Sequence, residues 1–73
     1  MLVVRPNPNN GEFTIDLSQA AKLEIMTPLG EMVLRKDLFE GENAIDLNAS
    51  AKGLYFVRIL QGNTMKVVRV IKQ

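Results

Sequence analysis

The chain has 73 residues, a net charge of +1 and a hydrophobic content of 47%, which together predict one small domain. It contains no cysteine and no histidine, so a disulfide framework, a Ser-His-Asp triad, a Cys-His pair and a transition-metal site of the usual kind are excluded. Three Phe and one Tyr are the only aromatic residues, and the core is therefore predicted to consist mainly of Val, Ile and Leu.

The first part of the chain predicts short strands joined by proline and glycine turns. Leu2 to Arg5 is a brief strand that stops at two prolines, which cannot donate to a strand ladder. Asn10-Gly11 is a strong turn signal, and residues 13–17 after it alternate between apolar and polar. The alternation returns over residues 22–26, and Thr27 to Gly30 fits a β-turn with proline second and glycine fourth.

The middle of the chain predicts two further strands. A longer one runs from Glu31 to Leu38, with Met32 and Leu34 on one face and Val33 on the other. Residues 39–42 interrupt the pattern. The next strand is predicted over residues 43–47, with its isoleucine and leucine facing inward.

The last part of the chain predicts a hairpin. Leu54 to Leu60 is apolar at six of seven positions, which is typical of a strand that is central in its sheet or buried on both faces. Gln61-Gly62-Asn63 then forms a tight turn into Met65 to Lys72. That segment also has apolar residues at helical spacing, but its valines and isoleucine after a turn favour a strand.

Seven short strands with turn signals every ~8–12 residues predict an all-β fold. The specific expectation is an antiparallel β-sandwich of two sheets, immunoglobulin-like in type, formed by residues 1–73 as a single domain.

The net charge hides an asymmetry between the two ends of the chain. Residues 1–51 carry four basic and eight acidic side chains, whereas residues 52–73 carry five basic side chains and no acidic one. One interpretation is that the basic final hairpin lies beside acidic strands, with Glu24 or Asp16 facing its cations. The other is that the last strand offers a cationic surface to an acidic receptor. No basic, aromatic-lined groove typical of nucleic-acid binding is present.

The acidic residues predict neither catalysis nor a metal site. They are scattered over turns and strand faces, without an apolar setting that would raise the pKa of one carboxyl beside another. Asp46 and Asn48 could suggest calcium, but calcium needs six to eight oxygens at regular spacing, so an Asx-type turn is favoured. We therefore expect no enzyme activity, no catalytic residue, no metal and no cofactor.

Five different short sequence blocks follow one another along the chain. They are Pro6-Asn7-Pro8 with Gly11, Met26 to Val33, Gly41 to Leu47, Gly53 to Val57, and a C-terminal segment with Lys66 and Lys72. Each block alone is a weak signal. Together they resemble the C-terminal sorting domain of proteins exported by the bacterial type IX secretion system, in its type A form, over residues 3–73. Arg5 and Pro28 depart from the residues that the family usually has there.

The resemblance implies that residues 1–73 form the C-terminal sorting domain of a larger secreted protein from a Bacteroidetes-type Gram-negative bacterium. The cargo would pass through the periplasm in transit, and the domain would address it there to the outer-membrane translocon. A sortase-like protease would usually remove the domain afterwards, leaving the cargo at the cell surface or outside the cell. The implied partners are translocon components, the protease and the cargo domain in cis, with no nucleic acid and no membrane insertion.

On this resemblance we predict a recognition patch made of the proline loop, the glycine–tyrosine corner and the cationic last strand. Its residues are Pro6, Asn7, Pro8, Gly11, Gly53, Tyr55, Lys66, Arg69 and Lys72. Gly30, Gly41 and Gly62 are predicted to be structural turn residues. A second route to recognition is addition of the terminal strand to a sheet edge of the translocon.

The alternative function is a retained β-sandwich accessory module, for adhesion or glycan binding, in a multidomain surface protein. Glycan binding normally uses exposed aromatic side chains, and this chain has few. An unprotected edge strand in so small a sandwich would also permit dimerisation. No segment approaches the ~18–20 apolar residues that a membrane-spanning helix requires.

Overall fold

The computed structural model of the chain describes residues 3–5 and 10–73. Within these two ranges the chain forms seven strands and no helix. The strands are β1 (Val3–Arg5), β2 (Glu12–Leu17), β3 (Ala21–Met26), β4 (Met32–Leu38), β5 (Gly41–Asp46), β6 (Gly53–Gln61) and β7 (Thr64–Lys72). The all-β prediction is confirmed, including the strand in place of a helix at residues 64–72.

In the described part of the chain the strands form two antiparallel sheets, and no strand of one sheet pairs with a strand of the other. The three-stranded sheet has the order β1-β2-β5, and the four-stranded sheet has the order β4-β3-β6-β7. The predicted two-sheet arrangement is confirmed, whereas its immunoglobulin-like type stays a prediction. β6 lies between β3 and β7, which agrees with the central position predicted from its apolar run.

Alternation along the strands places one face of each sheet in a shared core. Every second residue of β2 is buried, and β3 and β6 repeat the pattern. The buried residues of the core are Phe13, Ile15, Leu17, Ala21, Leu23, Ile25, Leu38, Ile45, Leu47, Tyr55, Val57, Ile59 and Val70. This core contains the alternating residues predicted from the sequence and consists mainly of Ile, Leu and Val, with one Phe, one Tyr and one Ala.

The prediction that Met32 and Leu34 share a face of β4 is wrong. Ile25 pairs with Leu34, but the next residue of β3, Met26, pairs with Met32, so one residue of β4 is unmatched. This residue, Val33, forms a β-bulge, which inserts one extra residue into a strand and reverses the alternation beyond it. As a result Leu34 and Val33 both pack against the core, while Met32 lies exposed on the outer face.

One other strand prediction is corrected. β5 begins at Gly41, inside the segment predicted to interrupt the pattern, because Gly41 pairs with Leu17 at the end of β2. Of the two alternatives predicted for β6, the structure has the central position and not burial on both faces: Tyr55 is buried, whereas its neighbour Leu54 is 37% exposed. The apolar run of β6 therefore leaves apolar side chains on the outer face of the four-stranded sheet.

Candidate functional site

The penultimate residue of the chain is a buried lysine. Lys72 lies at the end of β7 and is 8% exposed. Its ammonium donates to the backbone carbonyls of Leu47 at 2.8 Å and Asn48 at 3.3 Å, and also to the carbonyl of Ser50. A lysine ammonium has three donors and no acceptor, so these three carbonyls satisfy it completely. The last strand is thereby fixed to the β5–β6 connection.

The β5–β6 connection also forms hydrogen bonds with residues near the start of β2. The backbone N–H of Leu47 donates to the carbonyl of Gly11 at 2.6 Å, and the side-chain amide of Asn48 donates to a carboxylate oxygen of Glu12 at 3.1 Å. Gly11 has φ of +116°, and a Cβ added there would lie 2.7 Å from Oδ1 of Asn48 and 3.0 Å from Cε of Lys72. The positive φ favours glycine at this position, and a Cβ would in addition require the side chains of Asn48 and Lys72 to shift.

We name this junction the closing corner and define it as Gly11, Glu12, residues 46–51, Gly53, Tyr55 and Lys72. Tyr55 is 5% exposed, and its hydroxyl donates to the carbonyl of Ala51. Gly53 pairs with Lys72 across β6 and β7. The backbone N–H of Asn48 donates to Oδ1 of Asp46 at 2.8 Å, which confirms the predicted Asx-type turn. Front, middle and end of the chain thus meet at one place.

Four of the nine residues predicted for recognition meet at the closing corner. They are Gly11, Gly53, Tyr55 and Lys72. Pro6, Asn7 and Pro8 lie outside the described residues. Lys66 is at the other end of β7, roughly 20 Å from Lys72 at the usual strand rise, and Arg69 points to the outer face beside Phe56. Gly30, Gly41 and Gly62 lie at the β3–β4, β4–β5 and β6–β7 connections with positive φ.

The geometry gives Lys72 a structural contact in addition to its predicted recognition role. Its ammonium faces carbonyl oxygens of the chain itself, so the exposed cations of β7 are Lys66 and Arg69. That a secretion partner touches any of the nine residues stays a prediction.

Two site features were missed in the sequence. The carbonyls that accept from Lys72 are backbone groups, which every residue type carries, so no sequence pattern marks them. Asn43 has no role predicted within the Gly41 to Leu47 block, yet its side chain accepts from the N–H of Phe39 at 3.0 Å and donates to the carbonyl of Phe39 at 2.8 Å and of Gly41 at 3.1 Å. Its position directly after residues 39–42, where the alternation stops, was the available signal.

On the outer face of the four-stranded sheet, the carboxylate of Glu24 lies between the guanidinium groups of Arg58 and Arg35 on the two neighbouring strands. An oxygen of Glu24 lies 2.6 Å from Arg58, and the other lies 3.3 Å from Arg35. The hydrogen bond from Arg58, followed by the charges of Arg58 and Arg35, lowers the pKa of Glu24 despite its partial desolvation. The interpretation that the basic hairpin lies beside an acidic strand is thus confirmed at Glu24, but not at Asp16, which pairs with Val3 and Glu42.

Among residues 3–5 and 10–73, no three acidic side chains gather where they could hold a metal ion. The described part of the chain also contains no helix of the length and apolarity needed to cross a membrane. The described residues form a small β-sandwich module in which the start of β2, the β5–β6 connection and the end of β7 meet at the closing corner.

A comparison with protein families shows which family this domain belongs to. The family described as Secretion system C-terminal sorting domain matches residues 3–73, and the chain belongs to this family. No curated protein was found that matches the chain. Members of the family are non-catalytic C-terminal signals for type IX secretion, which act with the secretion machinery on a cargo attached in cis. The signal leads to export across the envelope to the cell surface or the extracellular space.

Proposed function

We propose that this domain is a folded export address, read by the outer-membrane translocon as a three-dimensional surface and then removed by a sortase-like protease. The domain itself performs no catalysis. It is attached to the C-terminus of a larger cargo protein, which it escorts from the periplasm to the cell surface or beyond.

The closing corner is the observation that supports this proposal. Gly11 and Lys72 are 61 positions apart in the sequence, yet a Cβ on Gly11 would lie 3.0 Å from Cε of Lys72. This juxtaposition exists only after folding. A receptor that binds there would therefore distinguish a folded domain from an unfolded chain that carries the same sequence.

We propose that recognition uses the proline loop of residues 6–8, Gly53 and Tyr55 of the closing corner, and the exposed cations Lys66 and Arg69. Lys72 positions the β5–β6 connection for that contact. Pairing of the edge strand β7 with a strand of the translocon is the second route, since β7 has a neighbour on only one side within the four-stranded sheet.

The test is a fusion of residues 1–73 to the C-terminus of a periplasmic reporter, expressed in a host that has the type IX system. We expect the reporter to reach the cell surface or the medium and to lose the domain on the way. A second fusion lacks residues 66–73, and its reporter should remain in the periplasm. The same fusions in a host without the translocon control for leakage. A reporter that stays in the periplasm with the complete domain, or that is exported without residues 66–73, contradicts the proposal.

The fate of the domain separates this function from the retained adhesion or glycan-binding module. Mass spectrometry of the secreted reporter should find its C-terminus upstream of the β1 strand. A mature reporter that still carries residues 1–73 would favour the accessory module.

A further inference from the structure

The outer face of the four-stranded sheet is apolar at the end that adjoins the closing corner. Side chains directly opposite each other on neighbouring strands share a face, so the register places Leu54 beside Ile71, and Phe56 between Arg69 and Met26. Met32 extends the same row past Met26. The resulting outer patch consists of Met26, Met32, Leu54, Phe56 and Ile71.

The outer patch is accessible. Met32 is 43% exposed, Leu54 is 37% exposed and Ile71 is 48% exposed. The other end of the same face carries Leu60 opposite Met65, but there the charged pair of Lys22 and Asp37 lies beside them, and this end is far from the closing corner. A contiguous apolar cluster on the surface of a small domain marks an interaction surface more often than scattered single side chains do.

The position of the outer patch connects it to the closing corner. Leu54 follows Gly53, and Ile71 precedes Lys72, so the cross-strand pair at the rim of the patch is adjacent in the chain to the pair inside the corner. A partner that covers the patch would therefore lie against the place where the front and the end of the domain meet.

The charges of this face disfavour a second copy as the occupant. Four cations and two anions project from it; they are Lys22, Arg35, Arg58 and Arg69, with Glu24 and Asp37. Two such faces would bring like charges together. Arg69, which stands within the patch beside Phe56, instead suits a partner that carries carboxylates.

The size of the face also disfavours a second copy. The domain measures 29 × 22 × 16 Å, and the patch occupies two of the four cross-strand rows on its broad side. Two copies meeting through such a patch would bury less than the ~800 Å² per partner that is usual in stable complexes. A concave partner can contact the rim as well and bury more of the domain.

We propose that the outer patch docks into a concave protein surface of the secretion machinery that is apolar at its centre and carries carboxylates opposite Arg69. The proposal rests on the proposed function and names the kind of surface that reads the address. It assigns Leu54, Phe56 and Ile71 to recognition, beyond the glycine, tyrosine and lysine positions named above.

The experiment compares two matched double variants in the reporter fusion. Leu54→Thr with Ile71→Thr alters the patch, and Leu60→Thr with Met65→Thr alters the equivalent cross-strand pair at the opposite end of the same face. Threonine keeps strand propensity while removing apolar surface. We expect the patch variant to export at least tenfold less reporter per periplasmic molecule, and the control to change by less than twofold.

A charge variant keeps the test valid if the patch variant is unstable. Arg69→Glu alters no core residue and should reduce export at least fivefold, whereas Lys52→Glu, an equal charge change at an exposed loop residue, should leave export unchanged. Urea unfolding of each variant of the 73-residue chain identifies any that fails to fold.

The outcomes separate the two proposals. If the unaltered fusion is not exported, the proposed function fails. If it is exported and the folded patch and charge variants are exported equally well, the docking surface is wrong and the proposed function stands. Sedimentation of the unaltered chain as a dimer that Leu54→Thr with Ile71→Thr dissociates would assign the patch to a second copy and also overturn the docking proposal.

Discussion

Lys72 and its three acceptors illustrate how a single side chain can connect distant parts of a small fold. The stem of a lysine packs against apolar neighbours while its ammonium needs polar partners. Here the partners are carbonyls of the β5–β6 connection, so the last strand and that connection are held together. The C-terminal sequence block predicted a role for Lys72. From the sequence alone, however, a lysine at a strand end is equally consistent with an exposed side chain that contacts a partner. Backbone acceptors leave no trace in residue types.

Replacing Lys72 with methionine should destabilise the domain. Methionine keeps most of the apolar stem, but the carbonyls of Asn48 and Ser50 lose the ammonium donor, and that of Leu47 keeps only the N–H of Ser50. The lost hydrogen bonds to a charged group cost about 1–3 kcal/mol in the free energy of unfolding. Lys66→Met is the matched control, because Lys66 is exposed on the same strand, and it should change this free energy by less than about 0.5 kcal/mol. Urea unfolding measures both. Equal effects would contradict a structural role for the Lys72 ammonium.

Gly11→Ala should cost more than the same change at Gly41. Both glycines have similar positive φ, +116° and +99°, which costs roughly 1–3 kcal/mol for a residue with a Cβ. Nothing lies within 4 Å of a Cβ at Gly41, whereas one at Gly11 would overlap Asn48 and crowd Lys72. We expect an additional cost of at least about 1 kcal/mol for Gly11→Ala. Thermal or urea unfolding that finds the two variants equal would argue against the tight contact.

The ion pairs of Glu24 predict a pH dependence. The pKa of Glu24 is lowered in the folded domain, chiefly by the hydrogen bond from Arg58, from an ordinary value of 4.5. The stabilisation is therefore complete above that ordinary value and is lost as pH falls through the lower folded pKa. The difference in unfolding free energy between the unaltered chain and Glu24→Gln should be constant near neutral pH and shrink in acid. A difference that grows on acidification would contradict the assignment.

At the scale of elements, alternation predicted β2 and β3 well because one face of each strand is buried and the other is wet. The same pattern failed at β4. The bulge at Val33 depends on how β4 pairs with β3, and the residues of β4 alone do not report a register shift. The apolar run of β6 predicted a central strand but not which of its faces is covered, since that depends on the partner sheet.

Asn43 should control the β4–β5 connection. Its side chain holds both backbone groups of Phe39, whose ring is 72% exposed, and also bonds the carbonyl of Gly41. Asn43→Ala should lower the free energy of unfolding by about 1–2 kcal/mol and speed exchange of the Phe39 amide hydrogen. Glu40→Ala, in the same turn and exposed, is the control and should do neither. An unchanged Phe39 exchange rate in Asn43→Ala would contradict this role.

At the scale of the whole molecule, the sheet edges bear on assembly. β4 and β7 are the outer strands of the four-stranded sheet, and each carries a lysine on its inward side, Lys36 opposite Leu23 and Lys66 opposite Ile59. Inward-pointing charges on edge strands discourage pairing between copies. The edge-strand dimer predicted from the sequence stays a prediction. The sequence showed that β7 comes last but not that it is an edge, because strand order is a property of the tertiary fold.

The five sequence blocks were specific enough to predict the sorting family, yet the reason for their joint spacing is visible only in three dimensions. Gly11, the end of the Gly41 block and Lys72 belong to three separate blocks, and they meet at the closing corner. The proline block lies largely outside the described residues, so its contribution to recognition stays a prediction.

The most direct measurement plots reporter export per periplasmic molecule against the folded fraction of the domain at growth temperature. The series consists of the unaltered chain, Gly11→Ala, Lys72→Met and Asn43→Ala. If the translocon reads a folded surface, export should fall in step with the folded fraction across the series. A variant that is mostly unfolded and yet exported as efficiently as the unaltered chain would show that a linear segment is read instead.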